Sequence, residues 1–253
     1  MRVFRLRSLL VVVLLWALPF VGVWAQGRQP LELGVRALPQ LTWLVNQTDQ
    51  DSDFFEIQPH FGYSAGLSFG QQLGKWTAFE MQVLYSAFGQ RADLSVLDTA
   101  GVAVGTIPQA LDFTYLSVPF MFHVRPQSEG RLRFSGLLGL QTHVLMGVTA
   151  SLDGREIPIE EQGTIPILER FAKGGLSLVS AAGLELELSD RLRLSAHVRN
   201  DFSLLDVEDR TFKLPGRNPS RWSNTGLQLG LTCLIGKLSQ AASSDPSGFP
   251  TLE

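Results

Sequence analysis

The sequence is poor in several things, and each shortage removes a class of protein. It has one cysteine in 253 residues, Cys233, so no internal disulfide framework is open to it. Cys233 reads instead as a small apolar residue on a strand. Charged residues make up only 18% of the chain, low for a soluble protein. After Ala25 no segment has even half the uninterrupted apolar length of a spanning helix, which rules against a bundle of membrane helices. Metal and phosphate-binding signatures are missing as well: there is no His-x-x-x-His pair, no cysteine cluster and no phosphate loop. The expectation is a protein without catalytic residues, metal or cofactor.

The amino-terminal segment has clear content. Arg2, Arg5 and Arg7 precede an apolar run from Leu9 to Phe20, and Val23-Trp24-Ala25 forms a small-residue cleavage site before Gln26. Residues 1–25 therefore read as an export signal. Pro19 and Gly22 break the run and leave it short of a membrane anchor, and no cysteine follows the site to carry a lipid. Removing the three arginines takes the net charge from −3 to −6, which argues against a nucleic-acid partner, since phosphate binding needs a basic face.

From Leu31 to Leu238 apolar and polar residues alternate with period two, the pattern of half-buried strands. Phe61, Tyr63, Ala65, Leu67 and Phe69 alternate with His60, Gly62, Ser64, Gly66 and Ser68. Phe79, Met81, Val83 and Tyr85 oppose Glu80, Gln82 and Ser86. Leu184, Leu186 and Leu188 oppose Gly183, Glu185 and Glu187, and Leu192, Leu194, Ala196 and Val198 oppose Arg193, Ser195, His197 and Arg199. A last segment sets Leu227, Leu229, Leu231, Cys233 and Ile235 against Gln228, Gly230 and Thr232. Three further segments, about 31–46, 111–124 and 131–149, bring the expected strands to eight; Pro39 and Pro119 each predict a bulge or bend in theirs.

The connections alternate in length. Segments 47–56, 91–110, 150–172 and 206–222 are long and polar, whereas 71–75, 125–130 and 189–191 are brief. Short periplasmic turns and long external loops are the habit of outer-membrane barrels. Alternation alone suits a soluble barrel equally well. Strand length and the aromatics Tyr63, Trp76, Tyr85, Phe113, Tyr115 and Trp222 near segment ends, where interfacial girdles belong, favour the membrane version. The expected fold is an all-β, eight-stranded antiparallel up-and-down transmembrane barrel over residues 26–238, in the outer membrane, with a disordered periplasmic tail at 239–253.

Eight strands leave interior room for little but side chains. The polar face then predicts a filled lumen in which Glu80, Gln82, Arg133, Gln141, His143, Glu185, Glu187, Arg193, His197 and Arg199 form an ion-pair and hydrogen-bond network.

Three stretches, Glu80 to Ser86, Leu111 to Pro119 and Gly183 to Leu192, carry a resemblance. The chain looks like the PorT-like outer-membrane β-barrel family of the Bacteroidetes group, in which a Leu-Tyr-Ser-like strand end precedes a Tyr-Leu-x-Ile/Val-Pro strand, and a Gly-rich strand turns at Ser-Asp-Lys/Arg-Leu into the next. The resemblance covers most of residues 31–238 and implies an outer-membrane barrel. Most members have no assigned activity, and a few take part in protein secretion or gliding machinery. It supplies no catalytic residues, and the tail beyond Leu238 departs from the family's usual aromatic ending.

Sharper local readings carry less weight. His60 with Ser52 or Asp53 would imitate the hydrolytic constellation of membrane lipid enzymes. Asp49, Asp51 and Asp53 lack the glycine and terminal glutamate of a calcium loop and read as a solvated acidic loop. A third external loop holding Arg155, Glu156, Glu160, Glu161 and Glu169 is a candidate for partner binding. The leading expectation is a noncatalytic structural or interaction barrel. A component of a secretion or gliding assembly, a lipid-modifying enzyme and a narrow channel are the alternatives. Expected partners are outer-membrane lipid, the barrel-assembly machinery during biogenesis and other envelope proteins.

Overall fold

The computed structural model describes residues 30–46, 55–74, 76–97, 103–126, 130–156, 167–213 and 216–236. The expected signal (1–25), the tail (239–253) and the loop residues Asp49, Asp51, Ser52, Asp53, Glu160 and Glu161 lie outside them.

Ten strands form in the alternating segments: β1 (Leu31–Val45), β2 (Phe55–Gln58), β3 (His60–Gln72), β4 (Thr77–Leu97), β5 (Ala103–Val124), β6 (Leu132–Leu152), β7 (Arg155–Glu156), β8 (Gly174–Ser189), β9 (Leu192–Ser203) and β10 (Arg221–Ile235). Eight of them close a ring in the order β1, β3, β4, β5, β6, β8, β9, β10 and back to β1, every neighbour antiparallel. β2 pairs with β4 and continues β3 past Pro59, with the register slipping by one residue: Gln58 faces Arg91, whereas Tyr63 faces Ala87. β7 only lengthens the outer end of β6.

The pairing fixes the geometry of the ring. A path of paired residues starting at Leu31 runs through Gln71, Phe79, Phe122, Leu138, Ser180, Asn200 and Thr225 and re-enters β1 at Leu41, ten residues further on. Such a stagger on eight strands corresponds to a tilt of roughly 35–45° and an interior that side chains can fill.

Faces follow from the period. Val35, Leu67, Phe134, Val198 and Leu229 point outward with 42–75% of their surface exposed, alongside Cys233. So continuous an apolar exterior is the surface of a protein that meets hydrocarbon. Tyr63 and Tyr85 sit on it as neighbours, with ring centroids 6.4 Å apart, and Trp76 is exposed beside a short turn. The other three aromatics expected in the girdles do not belong there: Phe113, Tyr115 and Trp222 are 1%, 4% and 5% exposed and pack inside the barrel. Position near a strand end says nothing about which face a ring occupies.

Two further expectations are corrected. Segment 91–110 is mostly not a loop, because β4 and β5 stay paired as a hairpin out to Leu97 and Ala103. Neither proline shifts the register. Pro39 stays opposite Tyr63 on β3, and pairing lapses only toward β10, between Ala37 and Gln40. Pro119 likewise stays opposite Gln141 on β6, with the lapse toward β4. In an antiparallel ladder the N–H and C=O of one residue point to the same neighbour, so a proline forfeits one bond on one side and leaves the other ladder intact. The register shifts lie elsewhere, at Val96/Leu97, Thr114/Tyr115 and Glu187/Ser189.

Candidate functional site

Inward-facing residues fill the ring in layers, because each strand contributes one side chain every two residues and the stagger brings them level. At the end with the short turns the layer is ionic. Glu32 of β1 accepts from Arg125 Nη1 and Nη2 at 2.6 and 2.7 Å, and from Arg193 Nη1 at 3.4 Å. Glu185 of β8 accepts from Arg125 Nε at 3.3 Å on Oε1; its Oε2 lies at ion-pair distance from Arg125 Nε (3.1 Å) and Arg193 Nε (3.4 Å), and His123 Nε2 lies 3.0 Å from its Oε1. Arg125 Nη2 donates to His123 Nδ1 at 3.0 Å, which leaves the ring proton on Nε2, toward Glu185. Glu80 accepts from Arg36 Nε at 3.0 Å and Gln82 Nε2 at 2.7 Å, while Arg36 Nη1 reaches Thr232 Oγ1 at 2.9 Å.

The middle layer centres on Arg199, 1% exposed. Its guanidinium forks onto Asp201 at 2.7 and 2.9 Å and donates to Gln82 Oε1 at 3.1 Å, Gln228 Oε1 at 2.8 Å and Gln141 Oε1. Above it a belt of hydroxyls crosses six strands. Gln40 Nε2 donates to Ser64 at 3.3 Å, Ser64 to Ser86 at 2.9 Å and Ser86 to Ser117 at 3.0 Å; Ser117 meets His143 Nδ1 at 3.1 Å, and His143 Nε2 meets Ser177 at 2.7 Å.

The end with the long loops is apolar. Phe113 lies edge-on to Phe171 at 4.7 Å and to Trp222 at 5.0 Å, and Phe88 stacks on Tyr115 at 5.0 Å. Leu44, Leu145 and Val207 close the gaps, and Trp222 Nε1 donates to Tyr115 Oη at 3.3 Å. Phe171 and Val207 come from the external segments, so those segments are anchored into the barrel mouth.

All ten lumen residues expected from the sequence point inward. Glu80, Gln82, Gln141, His143, Glu185, Arg193, His197 and Arg199 are buried. Arg133 and Glu187 pair at 3.1 Å on the rim beside the short turns, each about a third exposed. His197 Nε2 meets Ser135 Oγ at 2.7 Å, and its Nδ1 has no hydrogen bond among the described residues. Sequence reasoning missed Glu32, Arg36, Arg125 and Asp201, and its network omitted His123 and Gln228; all six take part. Among the described inward-facing groups, Arg36, Arg125, Arg133, Arg193 and Arg199 balance Glu32, Glu80, Glu185, Glu187 and Asp201. Each arginine lies within 4.0 Å of an acid of this set, as burial of charge requires.

One trio has the composition of a metal site: ligand atoms of His123, Glu185 and His197 lie within 4.8 Å of one another. Two guanidiniums already share Glu185 Oε2, so a divalent cation there would face Arg125 and Arg193 at close range. The trio serves the ion-pair layer. His60 Nε2 lies 3.0 Å from Asp112 Oδ1, a partner the sequence did not suggest.

A closed ring with lipid-facing apolar residues and a packed polar lumen defines a transmembrane β-barrel. The chain belongs to the family described as outer membrane protein beta-barrel domain, which residues 24–209 match, and its place is the outer membrane. It is similar in structure to Neisserial surface protein A (12% identity, 79% of this chain and 96% of that one, TM-score 0.44). It is also similar to OprG of Pseudomonas aeruginosa (10%, 84% and 99%, 0.43) and to Ail, the attachment invasion locus protein of Yersinia pestis (14%, 81% and 98%, 0.35). No curated protein matches the sequence.

Proposed function

We propose that this protein is a sealed, noncatalytic barrel whose role is structural or interactive: it anchors in the outer membrane and holds its external segments in fixed positions. The observation that carries this reading is the filling of the lumen, with a salt-bridged layer, an Arg199-centred layer and an aromatic layer stacked across the bore. Water and ions would have to break all three to pass. In planar bilayers the refolded protein gives no steady current; a persistent ohmic conductance overturns the sealed reading.

The narrower placing in the PorT-like group rests on the strand sequences Glu80 to Ser86, Leu111 to Pro119 and Gly183 to Leu192. Most members of that group have no assigned activity and a few take part in secretion or gliding machinery, so a place in such an assembly is the second form of the proposal. Affinity purification from the native envelope separates the two forms of the proposal: a machine part brings stoichiometric partners with it, and a lone barrel brings lipid and the assembly machinery that inserted it.

Among the described residues a lipid-modifying activity is supported by one contact, His60 with Asp112, since a histidine oriented by a carboxylate is part of a hydrolytic constellation. Loss of phospholipid hydrolysis on His60→Ala would replace the noncatalytic reading; unchanged background release in wild type and variant leaves it standing.

A further inference from the structure

The external segments do more than cover the mouth, because they form an open cavity of about 400 Å³ lined by Arg170, Phe171, Glu208, Phe212, Lys213 and Arg217. That volume falls within the range of small-molecule sites, roughly 300–1,000 Å³.

The walls are held in place before any ligand arrives. Ala172 N donates to Val207 O at 2.8 Å, Asp209 N to Arg170 O at 2.9 Å and Val207 N to Ser220 O at 2.9 Å. Phe171 and Glu208 form an antiparallel bridge across the two segments. Asp206 Oδ1 accepts from the backbone N–H groups of Ser220 at 3.0 Å and Glu208 at 3.2 Å. Phe171 is fixed from behind by its edge-on contact with Phe113 in the lumen. A cavity built this way loses little entropy on binding.

The charges around it are unequal in a useful way. Lys213 is paired with Asp206, and Arg217 Nε lies 3.0 Å from Glu208 Oε1, which also takes Ser220 Oγ at 2.8 Å. Arg170 is different: it is exposed, and among the described residues its guanidinium has no hydrogen-bond or ion-pair partner. One unspent guanidinium beside two phenyl rings is the donor set for a carboxylate attached to an apolar body. Arg170 would bind the carboxylate through two N–H groups, and Phe212, 39% exposed, would cover the body. A sugar fits less well. Among the described residues the lining has no asparagine, glutamine, serine, threonine or tyrosine side chain to read its hydroxyls.

We propose that this cavity is a binding site for small aromatic carboxylates at the outer face of the barrel, with Arg170 holding the acid and Phe212 the ring. The site goes beyond the sealed-scaffold reading and does not depend on it, since an occupied external cavity is compatible with a conducting or a closed lumen.

The test is calorimetric titration of the refolded full chain in micelles with benzoate, its neutral analogue benzamide, and acetate, which keeps the charge without the ring. Saturable benzoate binding is expected, at least tenfold tighter than either benzamide or acetate. Arg170→Ala should weaken it tenfold or more, Arg170→Lys less, and Phe212→Ala several-fold. The Arg170 side chain has no hydrogen-bond or ion-pair partner among the described residues, and its backbone bond to Asp209 survives substitution, so barrel closure, read by heat-modifiable gel mobility, stays as in wild type. Absence of saturable benzoate binding at millimolar concentration, or benzoate affinity unchanged in Arg170→Ala, overturns the proposal.

Discussion

The two ends of the lumen are filled by opposite chemistries. Toward the short turns, Glu32, Glu80 and Glu185 are locked to Arg36, Arg125 and Arg193 by bonds of fixed direction. Toward the long loops, Phe88, Phe113, Tyr115, Phe171 and Trp222 fill space by contact, with one hydrogen bond among them. The ionic end tolerates no missing member, because a charge left alone in a confined interior keeps its desolvation cost. The aromatic end can relax around a loss, because dispersion and burial are not directional. The barrel is therefore specified from below and stoppered from above.

That contrast breaks most sharply at Arg199. Arg199→Met strands Asp201 among three glutamines and should cost about 3–5 kcal/mol. Urea unfolding in lipid vesicles measures it, and joint replacement of Asp201 by leucine should recover most of the loss. In the stopper, Phe113→Ala should cost about 3 kcal/mol, the lower part of the range for a buried phenyl, because the external segments can settle into the space. If Phe113→Ala proves as costly as Arg199→Met, the aromatic end is as rigidly specified as the charged middle layer.

The stopper should also loosen in acid while the barrel holds. Burial raises the Asp206 carboxyl, but the Lys213 ammonium and the N–H groups of Ser220 and Glu208 outweigh it and hold it below the ordinary value of 3.8. A lowered carboxyl stabilises the fold above its unfolded value and loses that contribution as pH falls through the folded one. Protease nicking of the external segments should therefore rise only below pH 3.8, and Asp206→Asn should weaken that dependence, leaving the part that Asp209 carries. The smallest effect belongs to the rim, where Arg133 and Glu187 are about a third exposed. Glu187→Gln should shift stability by less than about 1 kcal/mol, since water screens a pair at the surface.

The sequence disclosed the sides of the sheet better than the contents of the layers. In β8 and β9 strict alternation put Glu185, Glu187, Arg193, His197 and Arg199 on one face without ambiguity. Glu32 and Arg36 obey the same rule in β1, but Pro39 obscured a ladder that in fact runs through it. His123 and Arg125 end a nearly all-apolar strand, and counting back from them by twos reaches Tyr115 and Phe113, the signal that would have turned those rings inward. Gly105 and Pro108 disguised a paired hairpin as a loop, since turn-forming residues are tolerated in a strand that outruns the membrane. Which acid meets which base was not readable at all. Those meetings depend on the ten-residue stagger, which is a property of the closed ring and of no single segment.

The charged groups of β1 carry a consequence for assembly. Glu32 joins Arg125 at the end of β5 and Arg193 of β9, and Arg36 joins Glu80 of β4 and Thr232 of β10, so this one strand bonds to groups on both flanks of the seam it forms with β10. A curled sheet with that seam still open would leave several ions facing hydrocarbon or an empty bore. Partly zipped intermediates are therefore expensive, and the last strand pairing and the quenching of the buried charges become a single cooperative event.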